Sequence, residues 1–143
     1  MDYQKYAKEL LDYLIIGERI GYIIQGNISE IAKGELAVLI YLIDENNGSS
    51  ARNISQRFDI NTSRVAAILN NLSKKGFIER RSDSNDKRKI CVYITDKGRQ
   101  YGEERRRYIL EHVCRMLEKL GEKDAREHIR IMKKISNLCL DIS

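Results

Sequence analysis

Between Ala51 and Tyr93 the spacing of apolar residues changes once, from helical to alternating, and the change falls at Gly76. Ahead of it Ala51, Ile54, Ser55 and Phe58 recur at i, i+3, i+4 and i+7, which is one face of a helix. Asp59 to Asn61 make a short turn, and Val65, Ile68, Leu69 and Leu72 then mark one face of a second, longer helix. Two helices joined by about three residues have the helix-turn-helix spacing. Gly76 closes the second helix, because glycine takes the left-handed conformation that helix ends favour. Beyond it Ile78 starts one strand, and Ile90, Val92 and Ile94 alternate with Cys91 and Tyr93 on another. The loop between the strands, Ser82 to Lys89, is polar and charged.

Helix, turn, helix and charged hairpin together predict a winged helix-turn-helix: mainly α, with a small β-hairpin wing. The flanks extend it. Asp2 to Gln25 reads as a long helix with two apolar stripes, one through Tyr6, Leu10 and Leu14, the other through Tyr3, Ala7, Leu11 and Ile15. So wide an apolar circumference exceeds what one small head can cover, and a second copy of the chain is the expected partner. Gly26 and Asn27 break the pattern. A helix from about Ala32 to Glu45 follows, with Leu36, Leu39, Ile40 and Ile43 as its core positions. Asn46, Asn47 and Gly48 form a loop, and Ser49 or Ser50 can cap the first helix of the head. After the wing, Thr95 is placed to cap a helix from Asp96 to about Leu120. Gly121 ends it, and a last helix runs from Glu122 to Ile142. The short connection predicts an antiparallel helical hairpin. The expected organisation is a dimerisation helix over 1–31, the winged head over 32–98 and C-terminal dimerisation helices over 99–143.

Charge is concentrated in the head. Ala51 to Lys89 holds ten Lys/Arg against four Asp/Glu, a balance of +6, while the whole chain carries +5. Such a local excess points to a polyanionic partner. Cys91, Cys114 and Cys139 are scattered and odd in number, which fits a reducing cytoplasm, and they read as small buried hydrophobes. Neither a secretory leader nor a membrane-length apolar run is evident. The two histidines, His112 and His128, lack companions at metal-ligand spacing, and no nucleophile–base pair or phosphate loop stands out. Neither an enzyme, a metal site nor a cofactor is therefore expected.

Asn61 is a natural cap for the second helix of the head, the recognition helix. With its core face assigned, Thr62, Ser63, Arg64, Ala66, Ala67, Asn70 and Asn71 remain outward. That face is small, polar and suited to base edges in a major groove. Arg64 is placed for a bidentate guanine contact, and Asn70 and Asn71, further along, for backbone phosphate. At the hairpin tip Asp83, Asn85, Asp86, Lys87, Arg88 and Lys89 crowd together.

The run from Leu69 to Gly98 resembles the signature of the multiple-antibiotic-resistance regulator (MarR) family. The matching residues are Leu72, Gly76, Ile78 and Arg80, then Asp83, Asp86 and Arg88, then Thr95 and Gly98. The chain departs from that pattern at Asn85, where the family usually has arginine, and at Ala67, where many members are polar or basic. The resemblance implies that Arg88 enters a minor groove while Asp86 or Asp83 holds the loop in shape. It further implies a cytoplasmic homodimer on a pseudo-palindromic double-stranded DNA operator, acting as a repressor released by a small-molecule effector, away from membranes. Some members sense oxidants through a cysteine in the N-terminal helix, where this chain has none. Tyr13, Tyr22, Tyr41, Tyr101 and Tyr108 could line an effector pocket or simply pack in the core. The alternative to a DNA reader is a winged helix serving as a protein–protein interaction module.

Overall fold

The computed structural model describes residues 1–12 and 34–142, with side chains through Leu138. It divides into two compact units, Met1–Arg105 and Arg106–Ser143. In the first, residues 3–12 are helical (α1), and the Asp2 carboxylate caps them by accepting from the amides of Gln4 and Lys5 at 3.1 and 3.2 Å. The remainder of the expected N-terminal helix, with Tyr13 and Tyr22, the turn at Gly26 and the dimerisation stripes beyond residue 12, lies outside the described residues. Then follow α2 (Glu35–Asp44), β1 (Ser49–Ser50), α3 (Ala51–Phe58), α4 (Thr62–Lys74), β2 (Ile78–Ser82) and β3 (Ile90–Ile94). The long helix α5 (Asp96–Leu120) begins in this unit, and α6 (Glu122–Ile142) completes the chain.

The head forms around one apolar cluster. Val38, Leu39 and Leu42 of α2 meet Ile54 of α3, with Val65, Ile68, Leu69 and Leu72 of α4 and then Phe77, Ile78 and Val92 of the wing. All four α4 positions predicted for the core are buried, so the helical period gives the right phase there. On α2 the phase shifts. Leu36 and Leu39 are buried as expected, but Ile40 and Ile43 are only half-buried, while Val38, Tyr41 and Leu42 are buried in addition. The reason is a polar tyrosine that the core can accept. The Tyr41 hydroxyl receives a 2.9 Å hydrogen bond from the fully buried Ser49 Oγ, and its ring meets the Phe58 ring edge-on at 5.8 Å. Tyr101 likewise stacks on Phe77 at 4.5 Å, so both belong to packing.

The sheet has three antiparallel strands in the order β1-β3-β2, one more than the expected hairpin. Ser49 and Ser50 pair with Val92 and Cys91, while Ile78 to Ser82 pair with Ile94 to Ile90. The expected alternation along β3 is not clean: Cys91 and Val92 are both buried, and Ile90 is 54% exposed. Ile90 pairs with Ser82 at the wing end of the ladder, beyond the reach of the core, whereas Cys91 is covered from the Ser50 side.

Thr95 joins the wing to α5. Its amide donates to the Phe77 carbonyl at 3.0 Å, its hydroxyl donates to the Gly76 carbonyl at 2.7 Å, and the same oxygen accepts the Gly98 amide at 3.0 Å. Gly98 is needed there because a Cβ on it would stand 2.1 Å from the Phe77 oxygen.

In the second unit Gly121, at φ 82, ends α5, and α6 follows directly. The expected antiparallel hairpin is not a packed one. Leu110, Val113, Met116 and Leu120 on α5, and Ile129, Ile131, Met132, Ile135 and Leu138 on α6, are 42–65% exposed, so neither helix covers the other's apolar stripe. The described residues of the unit do not supply cover for these apolar positions. Cys114 is exposed, which corrects the expectation that it packs as a buried hydrophobe, whereas Cys91 is buried. The Cys139 side chain lies outside the described residues. Among the described residues no helix is long and apolar enough to cross a membrane.

Candidate nucleic-acid interface

The turn between α3 and α4 is built by local chemistry. Asp59 takes a left-handed φ of 51°, which a short polar side chain tolerates. Ser55 Oγ then donates to the Ile60 carbonyl at 2.6 Å, and the Ile60 amide returns to the Ser55 carbonyl at 3.2 Å. Asn61 caps α4 as expected, its side-chain oxygen accepting the Arg64 amide at 2.8 Å. At the other end Gly76, at φ 74, lets the Phe77 amide return to the Leu72 carbonyl at 3.0 Å. Both ends of the helix are therefore set, and its orientation on the core is set by the four buried apolar residues.

On the opposite face Thr62, Ser63, Arg64, Ala66, Ala67, Asn70 and Asn71 are all exposed. They are not equivalent. Thr62, Ser63, Arg64 and Ala67 lie in the first turns of α4 and are exposed. Asn70 accepts a 2.8 Å hydrogen bond from the Arg80 guanidinium on β2. Asn71 donates to Glu35 Oε1 at 3.2 Å, and Lys75 Nζ pairs with the other Glu35 oxygen at 2.7 Å. Glu35 thus clamps the last turn of α4 to the start of α2, a role for Asn71 that periodicity does not reveal.

The wing tip is shaped by its two aspartates. Asp83 Oδ1 accepts the Asn85 amide at 2.9 Å, and Asp86 Oδ1 accepts the Arg88 amide at 3.0 Å. Backbone bonds from the Asp83 amide to the Lys89 carbonyl and from the Lys89 amide to the Asp86 carbonyl, 2.8 and 3.0 Å, close the loop. Either aspartate is expected to hold the loop, and both do. Asn85, Lys87, Arg88 and Lys89 are left exposed around it. Arg81, by contrast, is engaged within the wing, paired with Glu79 at 2.9 Å and lying 4.7 Å over the Tyr93 ring.

Folding also brings two distant polar segments together. Ser50, Arg52, Asn53 and Gln56 of the α3 region face Asp86, Arg88 and Lys89 of the wing across an open cleft of about 630 Å³. Arg52 and Gln56 stand four apart on α3, a spacing that could have flagged them as one polar face.

The family model described as transcriptional regulator SarA/Rot matches residues 27–105, more than half of the chain. The chain belongs to the SarA/Rot family. Its matched span contains the whole head and the root of α5. This SarA/Rot regulator is similar along nearly its full length to the uncharacterised HTH-type transcriptional regulator YwhA of Bacillus subtilis, with 20% identity over 138 residues, covering 95% of this chain and 99% of YwhA. Its fold is shared by FabT of Streptococcus pneumoniae, solved in complex with DNA, at a TM-score of 0.74 and 19% identity, covering 99% and 100% of the two chains. A MarR transcriptional regulator from Methanosarcina mazei Go1 matches at a TM-score of 0.65 and 22% identity, covering 90% and 99%. The resemblance to MarR proteins therefore holds in three dimensions as a winged helix-turn-helix. The function is that of a DNA-binding transcriptional regulator.

Proposed function

We propose that a homodimer of this SarA/Rot regulator occupies a pseudo-palindromic operator with its two heads and acts as a repressor that a small-molecule effector releases. Thr62, Ser63, Arg64 and Ala67 meet base edges in the major groove, and Asn85, Lys87, Arg88 and Lys89 reach the adjacent minor groove and its phosphates. Asn70 and Asn71 act mainly through their bonds to Arg80 and Glu35, which orient the helix and the wing. The observation that carries the reading is the geometry of α4. Val65, Ile68, Leu69 and Leu72 are at most 4% exposed on one face, while Thr62, Ser63, Arg64, Asn70 and Asn71, with the small Ala66 and Ala67 among them, stand in solvent on the other. The exposed apolar stripes of α5 and α6 supply the dimer contact. A regulator of transcription works where the chromosome lies, and the cytoplasm is the expected compartment.

The test is a fluorescence-anisotropy titration of the full chain on a duplex from the DNA upstream of its own gene and on a random duplex. If the two heads neutralise about six to ten phosphates, affinity falls on the order of 10³- to 10⁵-fold between 50 and 200 mM salt. Two half-sites centred roughly one helical turn apart, about 10 base pairs, are expected in the footprint. Equal affinity for both duplexes with a flat salt response would overturn the proposal.

A further inference from the structure

We infer that the cleft between α3 and the wing seats a phosphodiester of the DNA strand that separates the two grooves being read. The inference rests on the DNA-binding reading above and adds a contact site to it. In a duplex, neighbouring major and minor grooves are divided by one sugar–phosphate strand. If α4 lies in the first groove and the wing in the second, that strand crosses the surface joining the helix-turn-helix to the wing. The cleft opens there, with Arg52, Asn53 and Gln56 on one wall and Arg88 and Lys89 on the other.

Its chemistry suits a phosphate and little else. Three cationic side chains outnumber one carboxylate, and that carboxylate, Asp86, is already accepting the Arg88 amide at 3.0 Å. The cleft also lies at the N-terminal end of α3, where Ser50 caps the helix by accepting the Asn53 amide at 3.1 Å. That end of a helix favours negative charge. Among the described residues no aromatic or aliphatic side chain lines the cleft, whereas sites for small organic ligands are mostly apolar. The arginines of α3 divide accordingly. Arg57 is held by Glu45 in a two-pronged pair at 2.7 and 2.9 Å, while Arg52 has no ion pair among the described residues.

The experiment compares the full chain with Arg52→Ala, Arg52→Lys and Gln56→Ala on a random-sequence duplex and on the duplex from upstream of its own gene, across a salt series. Arg52→Ala should weaken both duplexes by the same factor and reduce the slope of log K against log salt by about 0.9 for each phosphate no longer neutralised. Arg52→Lys should keep the slope, and Gln56→Ala should weaken binding without changing it. Replacing single linkages by uncharged methylphosphonates should locate one position per half-site that weakens the wild type but not Arg52→Ala. A wild-type protein that binds with a steep slope while Arg52→Ala binds identically overturns the cleft and leaves the DNA-binding reading standing. A wild-type protein that binds neither duplex removes both.

Discussion

The Arg80 guanidinium donates a 2.8 Å hydrogen bond to the Asn70 side-chain oxygen, tying the first wing strand to the recognition helix. The two groups sit on the two elements proposed to read different grooves, so the bond couples the orientation of one to the other. Because it is exposed, its contribution to folding is small, about 1 kcal/mol or less. Asn70→Ala and Arg80→Ala should each weaken duplex binding several-fold, and the double variant should be little worse than either single one. Additive losses in anisotropy titrations would show instead that each side chain touches DNA independently.

Gly98 and Gly121 should respond differently to alanine. A Cβ at Gly98 would meet the Phe77 carbonyl oxygen at 2.1 Å, so the wing or α5 must move. Gly98→Ala should cost about 3 kcal/mol. At Gly121 a Cβ meets none of the described residues within 4 Å, and among them only its φ of 82° opposes a side chain. There the cost should be about 1–2 kcal/mol. Denaturant melts of the two variants give the comparison directly, and equal losses would refute the packing account.

Arg64 and Arg88 should separate specificity from affinity. A bidentate guanine contact in the major groove discriminates by about 1–3 kcal/mol, while the minor groove distinguishes few sequences. Arg64→Ala should therefore narrow the gap between operator and random DNA. Arg88→Ala should weaken both alike. The reverse pattern would exchange the roles assigned to helix and wing.

The ion pair of Glu45 and Arg57 predicts a small acid sensitivity. The side-chain hydrogen bond from Arg57 is the main cause that holds the Glu45 carboxyl below its ordinary value, and the same bond raises Arg57. A carboxylate with a depressed folded value stabilises the protein above its unfolded value and loses that stabilisation as pH falls through the folded one. Glu127 beside Arg130 behaves in the same sense. Wild type should therefore lose slightly more stability than Arg57→Gln between neutral pH and the acid side of the carboxylate range. Parallel curves for the two proteins would show that the pair contributes nothing.

The α6 stripe should hold the dimer. Ile129, Met132 and Ile135 are 43–52% exposed in the single chain, so changing them to lysine removes little intramolecular packing. The triple variant should sediment as a monomer with its helical circular dichroism retained, and its affinity for operator should drop. A stable dimer would place the contact elsewhere.

Much of this fold was legible because the helix limits are written in local chemistry. Ser50, Asn61 and Thr95 cap, Gly76 and Gly121 stop, and each acts within a few residues of where it stands. Pairings across the chain were not legible. Ser49 and Ser50 show no strand period and become a strand only because Val92 and Cys91 lie alongside them. Asn71 looks from its spacing like part of the DNA-facing surface, yet it binds Glu35, 36 positions away. The cleft escapes a linear reading for the same reason, since its two walls come from α3 and from the wing and only folding brings them together.

The strand order has a consequence for how this protein behaves in a crowded cell. In the order β1-β3-β2 the two outer strands are the ones open to pairing with a foreign strand. One is two residues long, and the other carries Glu79, Arg80 and Arg81 among its five. Short or charged borders resist edge-to-edge addition. The sheet can therefore keep an apolar inner strand without offering a template for fibrous assembly, and high local concentrations should not convert the wing into an aggregate.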